Sequence, residues 1–341
     1  MFDALRDLSS EMIPAVETEL RDVLKLNKKS DDLFYGMMHY HMGWVDEDLL
    51  PLELNGGKRI RPFLCLLACA AAGGDWKQAV PAAASIEIIH NFSLVHDDIQ
   101  DVSPTRRGRP TVWKLWGANQ AINIGDTMFA LAHIAMERMR TRGVKDSITL
   151  RAIRMLDDTC IALTKGQYFD MQFEERDDVS VDDYLSMING KTAALLSLST
   201  ELGAVVSGSE PEISDHFAAF GRDLGLAFQI RDDILGIWGD ETLIGKSAAT
   251  DIETRKKSLP VLYGLSKDEE LRRLYNEPET NEEFVYRVVE RLNSAGSREF
   301  TENYEKKYAD SAIAHLEAVS PDGDAGLALF QMTGRLLNRK F

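Results

Sequence analysis

The stretch Ser85–Asp101, SIEIIHNFSLVHDDIQD, constrains this chain more than any other. Its apolar residues (Ile86, Ile88, Ile89, Phe92, Leu94, Val95 and Ile99) are spaced as in a mostly buried helix. Yet it ends in Asp97, Asp98 and Asp101, with His90 and His96 just upstream. On a helix Asp97 and Asp101 stand one turn apart, about 6 Å along the axis, with both carboxylates on one face. No basic residue lies between them, and an apolar helix that ends in clustered like charge is costly to build without a cation. Hard divalent cations such as Mg²⁺ take oxygen ligands and bridge protein carboxylates to phosphates. Taken alone, the pattern reads sooner as a solvated acidic helix end than as a metal site, so the other segments must decide.

Those segments are helical. Apolar positions at helical spacing run over about 2–26 and 33–42, and an alanine- and leucine-rich helix follows the basic cluster Gly57-Lys58-Arg59-Ile60-Arg61-Pro62. Asp75 is a candidate cap for the next helix and Pro81 a candidate true start. SPTRRGRPT must be a loop, because Pro104, Gly108 and Pro110 break it. Helical patterns then cover about 118–140, 145–173, 181–207 and 214–238. Residues 239–251 read as a mobile connection, and shorter, more charged helices follow from Ser258. Alternating strand-like runs bounded by hairpin turns are absent, as are fixed-period repeats. The expectation is one all-α domain over residues 1–341.

Charge and composition narrow the function. Hydrophobic residues make up 44% and charged ones 28%, the balance of a globular protein with ample core. A net charge of −16 argues against nucleic acid and against an anionic membrane surface as partners. A chain this acidic binds phosphates only through local basic clusters or bound metals. Cys65, Cys69 and Cys160 do not make a disulfide framework and read as buried free thiols. The N-terminus lacks the features of a signal peptide, and no uncharged apolar run reaches membrane-spanning length, so the expectation is a cytoplasmic protein without a transmembrane segment.

The chemistry-bearing residues lie in five further places. A second acidic end, Asp232-Asp233 within Phe228–Asp233, closes another long apolar helix, and two such ends could face one cavity and hold several Mg²⁺ ions around a diphosphate. Lys58 and Arg61 share a helical face at i, i+3, and guanidinium forks suit phosphate oxygens. Cations at a helix start oppose its dipole, which a bound anion would offset. Arg106-Arg107-Gly108, directly after the first acids, either pairs with those acids or grips the diphosphate. Gly190-Lys191-Thr192 invites a P-loop reading that fails, since position 185 is Leu and no strand precedes it. Gly245-Lys246-Ser247, with Arg255-Lys256-Lys257 downstream, completes the set.

In the order GGKRIRP, HDDIQD, RRG, GQYFD, GKT, FQIRDD and GKS, these stretches resemble the trans-isoprenyl diphosphate synthases, the farnesyl and geranylgeranyl diphosphate synthase family, over about residues 56–265. The resemblance implies an all-α helical bundle around a deep central cavity, in a homodimer. It implies that Asp97 and Asp101 bind Mg²⁺ directly with Asp98 in support, that Asp232 binds a further ion, and that three ions serve each active site. Arg106, Lys191, Lys246 and Lys257 would help hold the diphosphate of the allylic substrate. Isopentenyl diphosphate would bind through Lys58, Arg61, His90 and Arg107, and Thr192 and Gln229 would line the reacting carbons. Two departures stand out. The second acidic motif, DDxxD in the family, ends here in Gly236, while Asp240 belongs to a separate Gly-Asp element. The segment ETRKKSLP lacks the glycine that commonly precedes its lysine, so Lys256 competes with Lys257 for that part.

The product expected is geranylgeranyl diphosphate, with farnesyl diphosphate as the alternative. Phe92, five residues before Asp97, lies about 7.5 Å further down the helix, where a bulky ring could floor the cavity. In the family, an aromatic residue there with an uninterrupted two-residue spacer, here Ile99-Gln100, resembles the short-chain geranylgeranyl synthases. Two other readings are a terpene cyclase, disfavoured by the Lys58, Arg61 and His90 set, and a non-catalytic subunit of a heteromeric synthase, which only Gly236 suggests.

Overall fold

The helix that carries the first acids is apolar on every side, which leaves it one stable position, at the centre of other helices. The computed structural model describes residues 3–25, 33–52, 57–239, 250–277 and 280–337. In chain order its helices are α1 Ala4–Val23, α2 Leu33–Met42, α3 Ile60–Ala71, α4 Trp76–Gln100, α5 Val112–Trp116, α6 Ala118–Glu137, α7 Asp146–Glu175, α8 Val181–Ile188, α9 Ala194–Ser207, α10 Pro211–Trp238, α11 Thr250–Glu253, α12 Leu259–Lys267, α13 Glu269–Tyr275, α14 Glu282–Ser294, α15 Ser297–Ala318 and α16 Gly323–Leu337. The all-α expectation holds. The segment expected as a plain loop after Asp101 contains a small antiparallel ribbon, β1 Thr105–Arg106 and β2 Arg109–Pro110, with Arg106 opposite Arg109. Arg107 and Gly108 form its turn with φ of 53° and 75°, the left-handed pair that two-residue hairpin loops favour.

Contacts divide the chain into two units. The first comprises Met1–Cys160, Leu198–Phe217 and Val319–Leu329. Here α4 packs against α1, α3 and α6. Ala82, Ala83, Ala84, Ile86, Ile88 and Ile89 of α4 are fully buried, and the small side chains allow close helix approach. Asp75 caps α4 by accepting from Lys77 N at 3.0 Å, so the helix starts before Pro81 and runs through it, contrary to the later start expected. Arg59, rather than Lys58 or Arg61, ties the helices together. Its Nε donates to Glu17 at 2.5 Å and its Nη1 to Glu87 at 2.6 Å, linking α1, the start of α3 and α4. Because α3 begins at Ile60, Lys58 precedes the helix and does not share a helical face with Arg61.

The second unit comprises Ile161–Ser197, Ala218–Ala318 and Phe330–Phe341. One core joins Phe173, Tyr184, Ile188, Leu226, Ile230 and Leu259. A second joins Ile237, Ile252, Leu271, Phe284, Val288 and Leu292. The run expected as one helix over 181–207 is α8 and α9 joined by a π turn at Asn189–Ala193, which contains Gly190-Lys191-Thr192. Among the described residues, no helix is long and apolar enough to cross a membrane.

Candidate active site

In the first unit the acids stand at the end of α4, where Asp101 N donates to Asp97 O at 2.8 Å in the helix's last turn. Asp98 points the other way. It is 2% exposed and accepts from Arg106 Nε at 2.7 Å. Burial raises its carboxyl above the usual range, and the Arg106 charge opposes that rise. Asp98 therefore suits the supporting part, fixing the first arginine of the hairpin beneath the two outer acids. Arg109, which no sequence pattern singled out, is structural. It donates to the carbonyls of Tyr40 and Val45 at 3.2 and 2.8 Å and lies over the Tyr40 ring.

Behind the hairpin is a basic recess. Arg61 Nη1 donates to His90 Nε2 at 3.3 Å, which puts the histidine's own proton on Nδ1. Burial, then the charges of Arg61, Arg107 and Arg106, holds His90 well below its ordinary value, so the ring is neutral. A cavity of about 310 Å³ is lined by Tyr40, His41, Asp98, Arg106, Arg107 and Arg109. Among the described residues, Arg61 Nε and His41 Nε2 are buried with no hydrogen-bond partner. Buried polar atoms so placed, beside several guanidinium groups, suit an anionic ligand. His41 had no motif to announce it.

In the second unit the acids of α10 divide their work. Asp233 is 1% exposed and accepts from Tyr184 Oη, from Leu259 N at 3.1 Å and from Gln229 Nε2 at 3.2 Å. It is a structural clamp, and burial together with its charge pushes the Tyr184 phenol well up. Gln229, so held, accepts from Thr192 Oγ1 at 2.9 Å, which brings the two predicted lining residues together. Lys191 pairs with Asp170 of the GQYFD segment. The π turn lies tight against α7, since a Cβ at Gly166 would stand 2.3 Å from Lys191 N and one at Gly190 would stand 2.6 Å from Ala162 O.

The two competing lysines separate cleanly. Lys257 Nζ donates to the carbonyls of Arg176 and Glu174, away from the acids of α10. Lys256 is partly buried; burial lowers its ammonium, but Asp233, Asp251, Asp170 and Asp232 together hold it above the ordinary value. The structure thus turns Lys256, and not the expected Lys257, toward the acidic cluster. Arg255, where a glycine was missed, adopts φ of 54° and anchors its guanidinium on the carbonyls of Tyr275 and Glu277. Lys246 and Asp240 lie outside the described residues.

The donor set fits Mg²⁺. Among the described residues, no three acids, histidines or cysteines are gathered closely enough to hold an ion by themselves. The carboxylates of Asp97 and Asp101, one turn apart at the end of α4, are the hard oxygen donors that such a cation takes together with waters and substrate phosphates.

Residues 44–292 match the polyprenyl synthetase family. The chain is 44% identical over 227 residues to the (2E,6E)-farnesyl diphosphate synthase of Mycobacterium tuberculosis H37Rv, covering 67% of this chain but only 62% of that relative's length. It is 41% identical over 293 residues to the geranylgeranyl diphosphate synthase of the same organism, covering 84% of this chain and 83% of the relative. A crystal structure of polyprenyl synthetase from Streptomyces coelicolor A3(2) matches with a TM-score of 0.87 at 32% identity, over 98% of both chains.

Proposed function

Since the chain belongs to the polyprenyl synthetase family, we propose that it is a short-chain trans-prenyltransferase condensing isopentenyl diphosphate with allylic diphosphates, working as a single domain over residues 1–341. The observation that carries this reading is the neutral His90–Arg61 pair with its orphaned donor, set behind the hairpin arginines and the Asp97/Asp101 helix end. A terpene cyclase needs one diphosphate site; the Arg61–His90 pair, in addition to the hairpin arginines beside the acids of α4, supports a second.

Asp97, Asp101 and Asp232 would hold the Mg²⁺ ions. Those ions, when bound, supply positive charge that stabilises the departing diphosphate. Lys191, Lys246 and Lys256 add to that charge, and Arg106 reaches the same diphosphate from its anchor on Asp98. Lys58, Arg61, His90 and Arg107 hold isopentenyl diphosphate and orient its double bond toward the allylic carbon. Thr192 and Gln229, locked by Asp233, line the reacting carbons. The released diphosphate takes the proton, so the protein needs no base of its own. Apolar walls keep water from the allylic cation.

The product is geranylgeranyl diphosphate, supported by Phe92 below the acids and by the 41% identical relative of that name. The 44% identical farnesyl diphosphate synthase makes a fifteen-carbon product the second reading. The chain works as a homodimer, as its resemblance to the family implies, and sedimentation of the purified protein tests that.

Steady-state kinetics with each substrate varied in turn test the proposal. Turnover should vanish with EDTA and fall by at least a hundredfold in Asp97→Ala or Asp101→Ala. Arg61→Ala should raise the Michaelis constant for isopentenyl diphosphate roughly tenfold or more while moving the allylic constant little. A rise in the allylic constant alone would mean that the two diphosphate sites are reversed.

A further inference from the structure

The last turn of α2, His39-Tyr40-His41-Met42, is pinned from two directions. Gly43 N donates to Tyr40 O and Trp44 N to His39 O, both at 3.0 Å, and Gly43 takes φ of 82°, the left-handed residue that closes such a helix end. Tyr40 Oη then donates to Pro110 O of the hairpin at 2.9 Å. Two positions apart on a helix, His39 and His41 point to opposite sides. His39 Nε2 donates to Leu24 O of the chain after α1 at 2.9 Å. His41 is left on the hairpin side, where it lines the cavity of about 310 Å³ with Asp98, Arg106 and Arg107.

The surroundings of His41 are cationic. Arg107 and Arg106 act on its ring, and Arg59 adds to them. The acid of the cavity wall, Asp98, is already engaged by Arg106. Arg107 extends from the hairpin to the segment that carries Lys58 and Arg61, for a Cβ at Gly57 would stand 3.1 Å from its Nη2. His41 also lies near enough to His90 to act on it, so both histidines belong to one recess. Yet His41 Nε2 is shut off from water with no hydrogen-bond partner. Burying a ring nitrogen unpaired is costly, and a neutral imidazole carries one N–H, which suits an anionic oxygen.

We propose that His41 is a further binding residue for isopentenyl diphosphate, its Nε2–H donating to a diphosphate oxygen beside Arg107. This inference rests on the assignment of that diphosphate to Lys58, Arg61, His90 and Arg107. A neutral donor at this place adds recognition without adding to the repulsion among the guanidinium groups. The cap of α2 and its bond to the hairpin hold the ring in position, so the site gains a contact from an element that lies before every motif.

Isothermal titration in EDTA, where no metal holds a diphosphate, measures isopentenyl diphosphate binding to wild type, His41→Phe, His41→Leu, His41→Gln and Arg61→Ala, with thermal midpoints taken alongside. His41→Phe fills the space of the ring without a donor and should weaken binding about tenfold or more, the loss for a hydrogen bond to a charged group. His41→Leu, smaller and also without a donor, should behave alike and stands in if the Phe variant does not fold. His41→Gln restores an N–H of similar reach and should bind within about threefold of wild type. With Mg²⁺ present, His41→Phe should raise the Michaelis constant for isopentenyl diphosphate by a similar factor and leave kcat and the allylic constant near wild type. Wild-type affinity in the two apolar variants overturns the inference. So does equal weakening in His41→Gln, which would mark the residue as packing alone. Arg61→Ala separates the two levels. If it weakens binding while the apolar variants do not, only the part given to His41 fails; if none of them weakens binding, the reading of the recess fails with it.

Discussion

On the proposed reading, one ring, that of Phe92, governs the length of the product. It is 8% exposed and meets His96 edge-on at 4.9 Å and Phe129 of α6 at 5.4 Å between ring centroids. A chain that descends along α4 from Asp97 meets this aromatic pair after about five residues' rise, roughly 7.5 Å. Phe92→Ala should therefore lengthen the product by one or more five-carbon units, with Phe129 as the next obstruction. The cavity left behind should cost about 3–5 kcal/mol of stability. Chromatographic sizing of the products from folded Phe92→Ala enzyme checks this, and an unchanged profile would put the floor elsewhere. At this scale the sequence named residues better than orientations. Asp97, Asp98 and Asp101 were evident, but Asp98's inward turn toward Arg106 depends on a hairpin that the loop residues only hinted at. Lys256 and Lys257 are neighbours, and only the folded turn decides which faces the acids.

Among the elements, the long helices were legible because buried apolar periodicity alone specifies them, and α4 was evident from its run of apolar positions. The π turn between α8 and α9 was not, because its register is set by packing against α7 rather than by local propensity. Gly166 and Gly190 let the two backbones touch, which places Lys191 opposite Asp170 and Thr192 within reach of Gln229. Gly166→Ala should force α7 and the turn apart at a cost of about 1–3 kcal/mol. It should also lower turnover by one or two orders of magnitude, since misplacing a positioned group by about 1 Å has that effect. On the proposed assignment isopentenyl diphosphate is held by Lys58, Arg61, His90 and Arg107, so its Michaelis constant should stay near the wild-type value. Urea denaturation and initial rates measure both, and a variant with normal stability and turnover would show that the contact is slack.

At the scale of the whole molecule, acidity and burial set the pH range in which the fold survives. His39, buried against Leu24 O at 2.9 Å, is pushed below its ordinary value by desolvation, and His90 is pushed well below. His41 is pushed down to about 3 by burial, then by Arg107 and Arg106. A histidine whose folded value lies below its unfolded value of about 6.5 takes up protons in the unfolded chain first, so stability falls as pH drops through 6.5. At pH 5.5 that amounts to about 1.4 kcal/mol for a group such as His41. The carboxyls of buried Asp98 and half-buried Glu201 and Glu305 act in the opposite sense, because burial raises them. Between pH 7.0 and 5.5 each of the three histidines lowers stability, and His41 can be read by itself. His41→Gln removes one titrating ring while keeping an amide of similar reach. Urea titrations at the two pH values should show wild type losing about 1.3 kcal/mol more than His41→Gln over that interval. The comparison is of slopes, so a uniform loss of stability in the variant does not disturb it. Equal losses in the two proteins would mean that His41 titrates as an ordinary solvated histidine, and that the recess behind the hairpin is wetter than its geometry indicates.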